Sequence, residues 1–190
     1  MAMSHYYDVH GRLPPAVVYG EGDEPLYSWR VLLLPFLEEN ALYQQFKLGE
    51  PWDSPDNLQL LSRMPPVYGP FREGASSPPY STFYRVFFGS GAAFEGHEGL
   101  RLRDDFPDGT SETILIVEAG DAVPWTKPEE LIYDPRQTLP SLGGISKDGF
   151  RAALADGSVH IVKRNTSERT LRALITRNGG DKPGPDWSGW

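Results

Sequence analysis

The chain has 190 residues, 18 basic against 26 acidic side chains, a net charge of −8 and no cysteine. That balance argues against a nucleic-acid-binding surface over the whole protein, and the missing thiols exclude disulfides, thiolate metal sites and cysteine nucleophiles. With 39% hydrophobic and 23% charged residues it reads as one folded domain over residues 1–190, and no apolar run reaches the 18 residues of a membrane span.

Met3 to His10 reads as the last turns of a helix, closed by Gly11 where a left-handed residue is favoured. Pro14 and Pro15 then impose extended chain. Ser28 is an N-cap for a helix whose Trp29, Leu32, Leu33, Phe36 and Leu37 form one apolar stripe, with Pro35 expected to kink or split it. A second piece carries Ala41, Leu42 and Phe46 inward. Ser54-Pro55 opens a short helix to about Arg63, ended by Met64-Pro65-Pro66.

The period then changes. Thr82 to Phe88 is rich in aromatic and β-favouring residues and reads as a strand; Gly99 to Arg103 reads as a short one. Thr113 to Val117 reads as a strand buried on both faces. Phe150–Ala155 and Ser158–Val162 flank Asp156-Gly157, a strong hairpin signal. A helix follows from about Ser167, with Asn165 and Glu168 as a capping-box alternative one turn earlier, Leu171, Leu174 and Ile175 on one face and Asn178-Gly179-Gly180 as its stop; an irregular tail runs from Asp181 to Trp190. Helices first and strands later, without βαβ alternation, predict an α+β fold with an antiparallel sheet.

Catalytic motifs fail at required positions. His97-Glu98 would need a second histidine at 101, which is Arg101. Gly89-Ser90-Gly91 would need a glycine at 94, which is Phe94. No G-x-S-x-G elbow is present. The chain is therefore read as not an enzyme.

Asp104, Asp105 and Asp108 form an acidic loop whose chemistry suits calcium, though its spacing is not that of an EF-hand; the simpler reading is an Asp-Gly turn in which Asp108 bonds its own following backbone. No other cofactor is expected. Arg164, Arg169, Arg172 and Arg177, with Lys163, give the last helix a basic side, either a solvated face that complements the helix dipole or a docking face for an acidic partner. Trp52, Trp125, Trp187 and Trp190 lie in proline-rich segments. There they either pin loops to the body or stack on glycans and peptides.

The run His5-Tyr6-Tyr7-Asp8-Val9-His10-Gly11-Arg12-Leu13-Pro14-Pro15 resembles the segment after the N-terminal helix in a large planctomycete family of prepilin-like proteins of unknown function. Ser28 to Glu38, Glu50 to Pro55, Asp108 to Ser111, Val123 to Pro128 and Ala155 to Val159 agree with it in order. The resemblance implies a pilin-like head: Met1 to His10 would be the stub of a longer apolar helix that anchors the full-length protein in the inner membrane, and the head would lie outside the cytoplasm. It implies a non-catalytic structural or interaction subunit whose partners are other pilin-like subunits or envelope proteins. Related pseudopilins bind calcium in a loop of the sheet, without a residue-by-residue match to this acidic loop. The family's C-terminal motif is a histidine, nine residues, then Asp-Gly; Asp156-Gly157 matches its end, while Ser146 stands at the histidine position. The alternative is an extracytoplasmic module that binds carbohydrate or peptide through its loop tryptophans.

Overall fold

The computed structural model describes residues 1–70, 77–144 and 147–187. Its elements are, in chain order, α1 (Ala2–His10), β1 (Val17–Tyr19), β2 (Pro25–Ser28), α2 (Trp29–Leu32), α3 (Asn40–Tyr43), α4 (Pro55–Gln59), β3 (Ser81–Arg85), β4 (Phe87–Gly89), β5 (Ile114–Pro124), β6 (Leu131–Tyr133), β7 (Gly149–Leu154), β8 (Val159–Lys163) and α5 (Glu168–Ile175). The fold is α+β. Its main sheet is antiparallel in the order β3-β5-β7-β8, with a late hairpin and a C-terminal helix.

The N-terminal half is a string of short helices. Gly11 closes α1 in the left-handed region, at φ 71°, and donates its N–H to the Tyr7 carbonyl. Tyr6 on this helix stacks on His10 and meets the edge of Phe36. The Ser28 hydroxyl caps α2 by accepting the Arg30 N–H. Pro35 does split the segment, leaving a 3-10 turn over Leu34–Leu37 after the single turn of α2. The apolar stripe expected of one helix is consequently redistributed. Val31 and Leu34 are fully buried, whereas Leu32, Phe36 and Leu37 are half-buried. Ala41, expected inward, is exposed, and Leu42 and Phe46 carry that burial.

Ser54 caps α4 through the Asn57 N–H. Asn57 is itself buried, and its amide serves the Lys47 N–H and the carbonyls of Lys47 and Pro51. One side chain thus pairs backbone groups that the loop leaves without ladder partners.

The aromatic run from Thr82 to Phe88 is two strands, not one. β3 joins the main sheet, while β4 pairs in parallel with β6. The break falls at Val86, whose N–H goes to the Glu130 carboxylate and whose carbonyl takes the Leu131 N–H. The strand expected over Gly99–Arg103 does not form. A Cβ on Gly99 would sit 1.4 Å from the Leu13 carbonyl oxygen, so the glycine permits a close backbone crossing; there the Leu13 N–H donates to the Leu100 carbonyl. β5 is longer than expected, running on to Pro124. As expected, it is buried on both faces: Ile114 and Val117 pack in the cluster that includes Leu174, and Leu115 packs in the cluster that includes Trp29.

The β7–β8 hairpin closes through the expected Asp156-Gly157. The Leu154 carbonyl accepts from Gly157 and the Leu154 N–H donates to Ser158, a three-residue loop whose last member is left-handed at φ 89°. Asp156 accepts the Ser158 N–H at 2.9 Å. Because an L residue at that φ costs about 1–2 kcal/mol, Gly157→Ala should lower Tm by roughly 2–8 °C, given about 2–4 °C per kcal/mol at this size. Far-UV circular dichroism of the folded variant should be unchanged.

Ser167 caps α5 by accepting the Thr170 N–H. This helix ends at Ile175, short of Asn178-Gly179-Gly180, because Thr176 turns extended and bridges to Ala92. The irregular tail returns to the helix start, where hydrogen bonds from the Thr170 hydroxyl and the Ser167 N–H hold the Asp186 carboxyl down to about 2.

Candidate functional site

One face of the main sheet packs on α5. The other meets the N-terminal half, and there a cavity of about 710 Å³ remains. Its position follows from the pleat. Ile116, Ala153 and Val159 are register neighbours on β5, β7 and β8 and line one wall. Leu13, Trp29 and Leu33 line another, and the first turn of α1 lies beside the opening. Met1 and Val159 are exposed there, while Leu13, Leu115 and Leu154 are buried.

Polar groups converge at one part of this wall. Tyr84 and Arg151 line the cavity. Behind them the buried Glu118 accepts the Arg151 backbone N–H at 2.8 Å and its guanidinium at 3.3 Å. Burial raises the pKa of Tyr84; Glu118 adds to the rise and Arg151 opposes it.

A second buried network lies deeper. The Arg30 guanidinium sits 2.9 Å from Glu130, with both side chains essentially inaccessible. Arg30 Nε donates to the Tyr84 carbonyl at 2.9 Å, and Glu130 accepts the Val86 N–H at 2.9 Å. Tyr68 donates its hydroxyl to the Arg30 carbonyl at 2.8 Å, and burial raises its pKa. Sequence reading misses this network because its members stand up to about a hundred residues apart. Its one local signal is a lone Arg30 inside the apolar run from Trp29 to Leu34.

The residues singled out from sequence are placed as follows. Asp104, Asp105 and Asp108 do not converge on a cation. Asp104 pairs with the Arg101 side chain at 3.4 Å, Asp105 accepts the Arg101 N–H at 2.7 Å, and Asp108 accepts the Gly180 N–H at 3.1 Å. No cluster of three potential ligands occurs among the described residues. The loop is instead a tie to the C-terminal segment, with Asp108 bonding Gly180 and not its own following backbone.

Trp125, read either as a pin between loop and body or as a contact residue, is fully buried and is a pin. Its indole N–H donates to the Leu61 carbonyl at 3.0 Å, and its ring lies 5.8 Å from Tyr68 and 5.9 Å from Phe46. A ring so enclosed presents nothing to a partner. Trp52 is half-buried, with the Lys127 ammonium 5.9 Å from its ring. Trp187 lies 5.3 Å from His160. Trp190 and Ser146 lie outside the described residues.

The basic side of the last helix is largely spent inside the molecule. Arg172 pairs with Glu168 at 2.6 Å, donates to the Gln137 carbonyl and lies against Tyr133. Arg177 pairs with Glu95, and Arg164 donates to the Gly143 carbonyl. Arg169 is exposed. Arg172, singled out as a contact candidate, is thus engaged in ties within the molecule.

The fold and site define a small α+β protein with an antiparallel sheet, an N-terminal helix beside one sheet face and an apolar cavity between them. Residues 1–93 match the model of a family described as a protein of unknown function (DUF1559). No curated protein and no solved structure matches the chain.

Proposed function

We propose that the chain is the head of a pilin-like, membrane-anchored subunit: a non-catalytic structural or interaction protein held outside the cytoplasm, with other pilin-like subunits or envelope proteins as partners. The observation that carries this reading is the seat of α1. The helix lies against the body through Tyr6 and Phe36, and the exposed Met1 that precedes it lines the cavity at the sheet face, so a preceding helical segment would leave the domain without disturbing its core. The match of residues 1–93 to an uncharacterised family includes this helix and is compatible with the reading. No helix among the described residues is long and apolar enough to cross a membrane, so the reading requires an anchor encoded ahead of Met1. The rival glycan or peptide platform is weakened, because one of its tryptophans, Trp125, is buried.

Fractionation of cells that express the protein from its own gene tests the proposal. Antibody to residues 1–190 should find it in carbonate-washed membranes, digestible by protease added from outside the inner membrane. Recovery in the soluble cytoplasm would overturn the reading.

A further inference from the structure

We propose that the cavity between α1 and the sheet is a binding site for a long-chain carboxylate, with the alkyl chain along Ile116, Ala153 and Leu115 and the head group at Arg151 and Tyr84. Its volume of about 710 Å³ falls inside the roughly 300–1,000 Å³ of small-ligand sites. The wall chemistry selects the class of ligand. Among the described lining residues there is no Asp, Glu, Lys or His, and the one charged side chain is Arg151.

A peptide would bring backbone N–H and C=O groups that this wall leaves without partners, which is costly on burial. A chain that is polar only at one end has no such requirement. Met1 and Met3 lie on the wall, and their unbranched side chains adapt readily to alkyl contours.

The head-group end has complementary charge in a fixed position. Glu118 holds both the Arg151 backbone and its guanidinium, from below the cavity wall. A planar guanidinium carries five donors and can serve two carboxylates together. Tyr84 lines the same cavity, and its raised pKa keeps the hydroxyl a donor well into the alkaline range.

Titration of the whole chain with alkanoates of 8, 10, 12 and 14 carbons, kept below their micellar concentrations and followed by calorimetry, tests this. Affinity should rise about fourfold per added methylene, the equivalent of ~0.8 kcal/mol transferred, until the cavity is full. Ala153→Trp, which fills the cavity, should abolish binding while retaining the wild-type circular dichroism spectrum. Arg151→Lys, which keeps a cation beside Glu118, should preserve part of the affinity; Arg151→Gln should weaken dodecanoate at least tenfold and leave dodecanol unchanged. Absence of binding, affinity independent of chain length, or binding to phospholipid vesicles without binding to free alkanoates would overturn the proposal. The chain-length series uses the unaltered protein, so it decides the matter even where a variant fails to fold. Failure here leaves the membrane-fractionation result untouched.

Discussion

Arg30→Met should be among the most damaging single substitutions in this protein, with Tm lowered by about 6–20 °C at neutral pH. The Arg30 and Glu130 side chains are 0% and 1% exposed and lie 2.9 Å apart. Removing one member of such a pair leaves a buried charge without its counterion, at a cost of about 3–5 kcal/mol. At this chain length each kcal/mol moves Tm by about 2–4 °C. The Tyr84 carbonyl also loses the Arg30 donor. Pairing Arg30→Met with Glu130→Leu should restore much of the loss, since apolar replacements of buried ion pairs are often neutral or better.

The same pair carries a pH signature. Burial pushes the Glu130 carboxyl up, and the opposing influences are led by Arg30, followed by the Val86 N–H. Without Arg30 the carboxyl rises further. A carboxyl whose pKa is higher in the native state than in the unfolded chain binds its proton more tightly when folded. Its contribution to stability therefore falls as pH rises from the ordinary carboxylate range through the native pKa. Arg30→Met should consequently be less destabilising near pH 5 than at pH 8, as read by urea denaturation at both values. A larger loss at pH 5 would contradict the proposed role of Glu130.

Much of the chain was legible because the signals were local. Gly11, Ser28, Ser54 and Ser167 each terminate or cap a helix through groups within a few residues, and Asp156-Gly157 closes a hairpin of neighbouring strands. What failed required a distant partner. The break at Val86 depends on Glu130, 44 residues away. The end of α5 depends on a bridge to Ala92, and the Asp108 carboxylate is taken by Gly180, 72 residues on. The cavity is illegible for the same reason. Met3, Trp29, Ile116 and Ala153 are ordinary core-forming residues in their own segments, and only the assembled sheet and helices place an uncovered space between them. At the tryptophans, residue type left two readings open, a pin to the body or a surface contact, and only the fold decides between them. A proline-flanked Trp125 looks like a loop residue, yet the chain after β5 turns inward and carries it into the core.

Trp125→Ala should be comparably severe and reports on that inward turn. The ring sits between Phe46 and Tyr68, and its N–H holds the Leu61 carbonyl. It is therefore a joint between the end of β5 and three separate segments of the helical half. Truncating a buried tryptophan costs about 3–5 kcal/mol, and the Leu61 carbonyl additionally loses its donor. A Tm fall of about 6–20 °C is expected, with greater susceptibility to proteolysis between residues 46 and 68 than in the β7–β8 hairpin. Trp125→Phe, which keeps an aromatic ring but not the N–H, should fall between the two. Had this ring served as a surface platform for a glycan, its removal would be nearly neutral for stability and would show only in binding, so a Tm within about 1 °C of wild type would reinstate the surface role. The half-buried Trp52 provides the internal comparison. Its replacement by alanine should cost clearly less than that of Trp125, because Lys127 approaches its ring and part of it remains exposed to solvent.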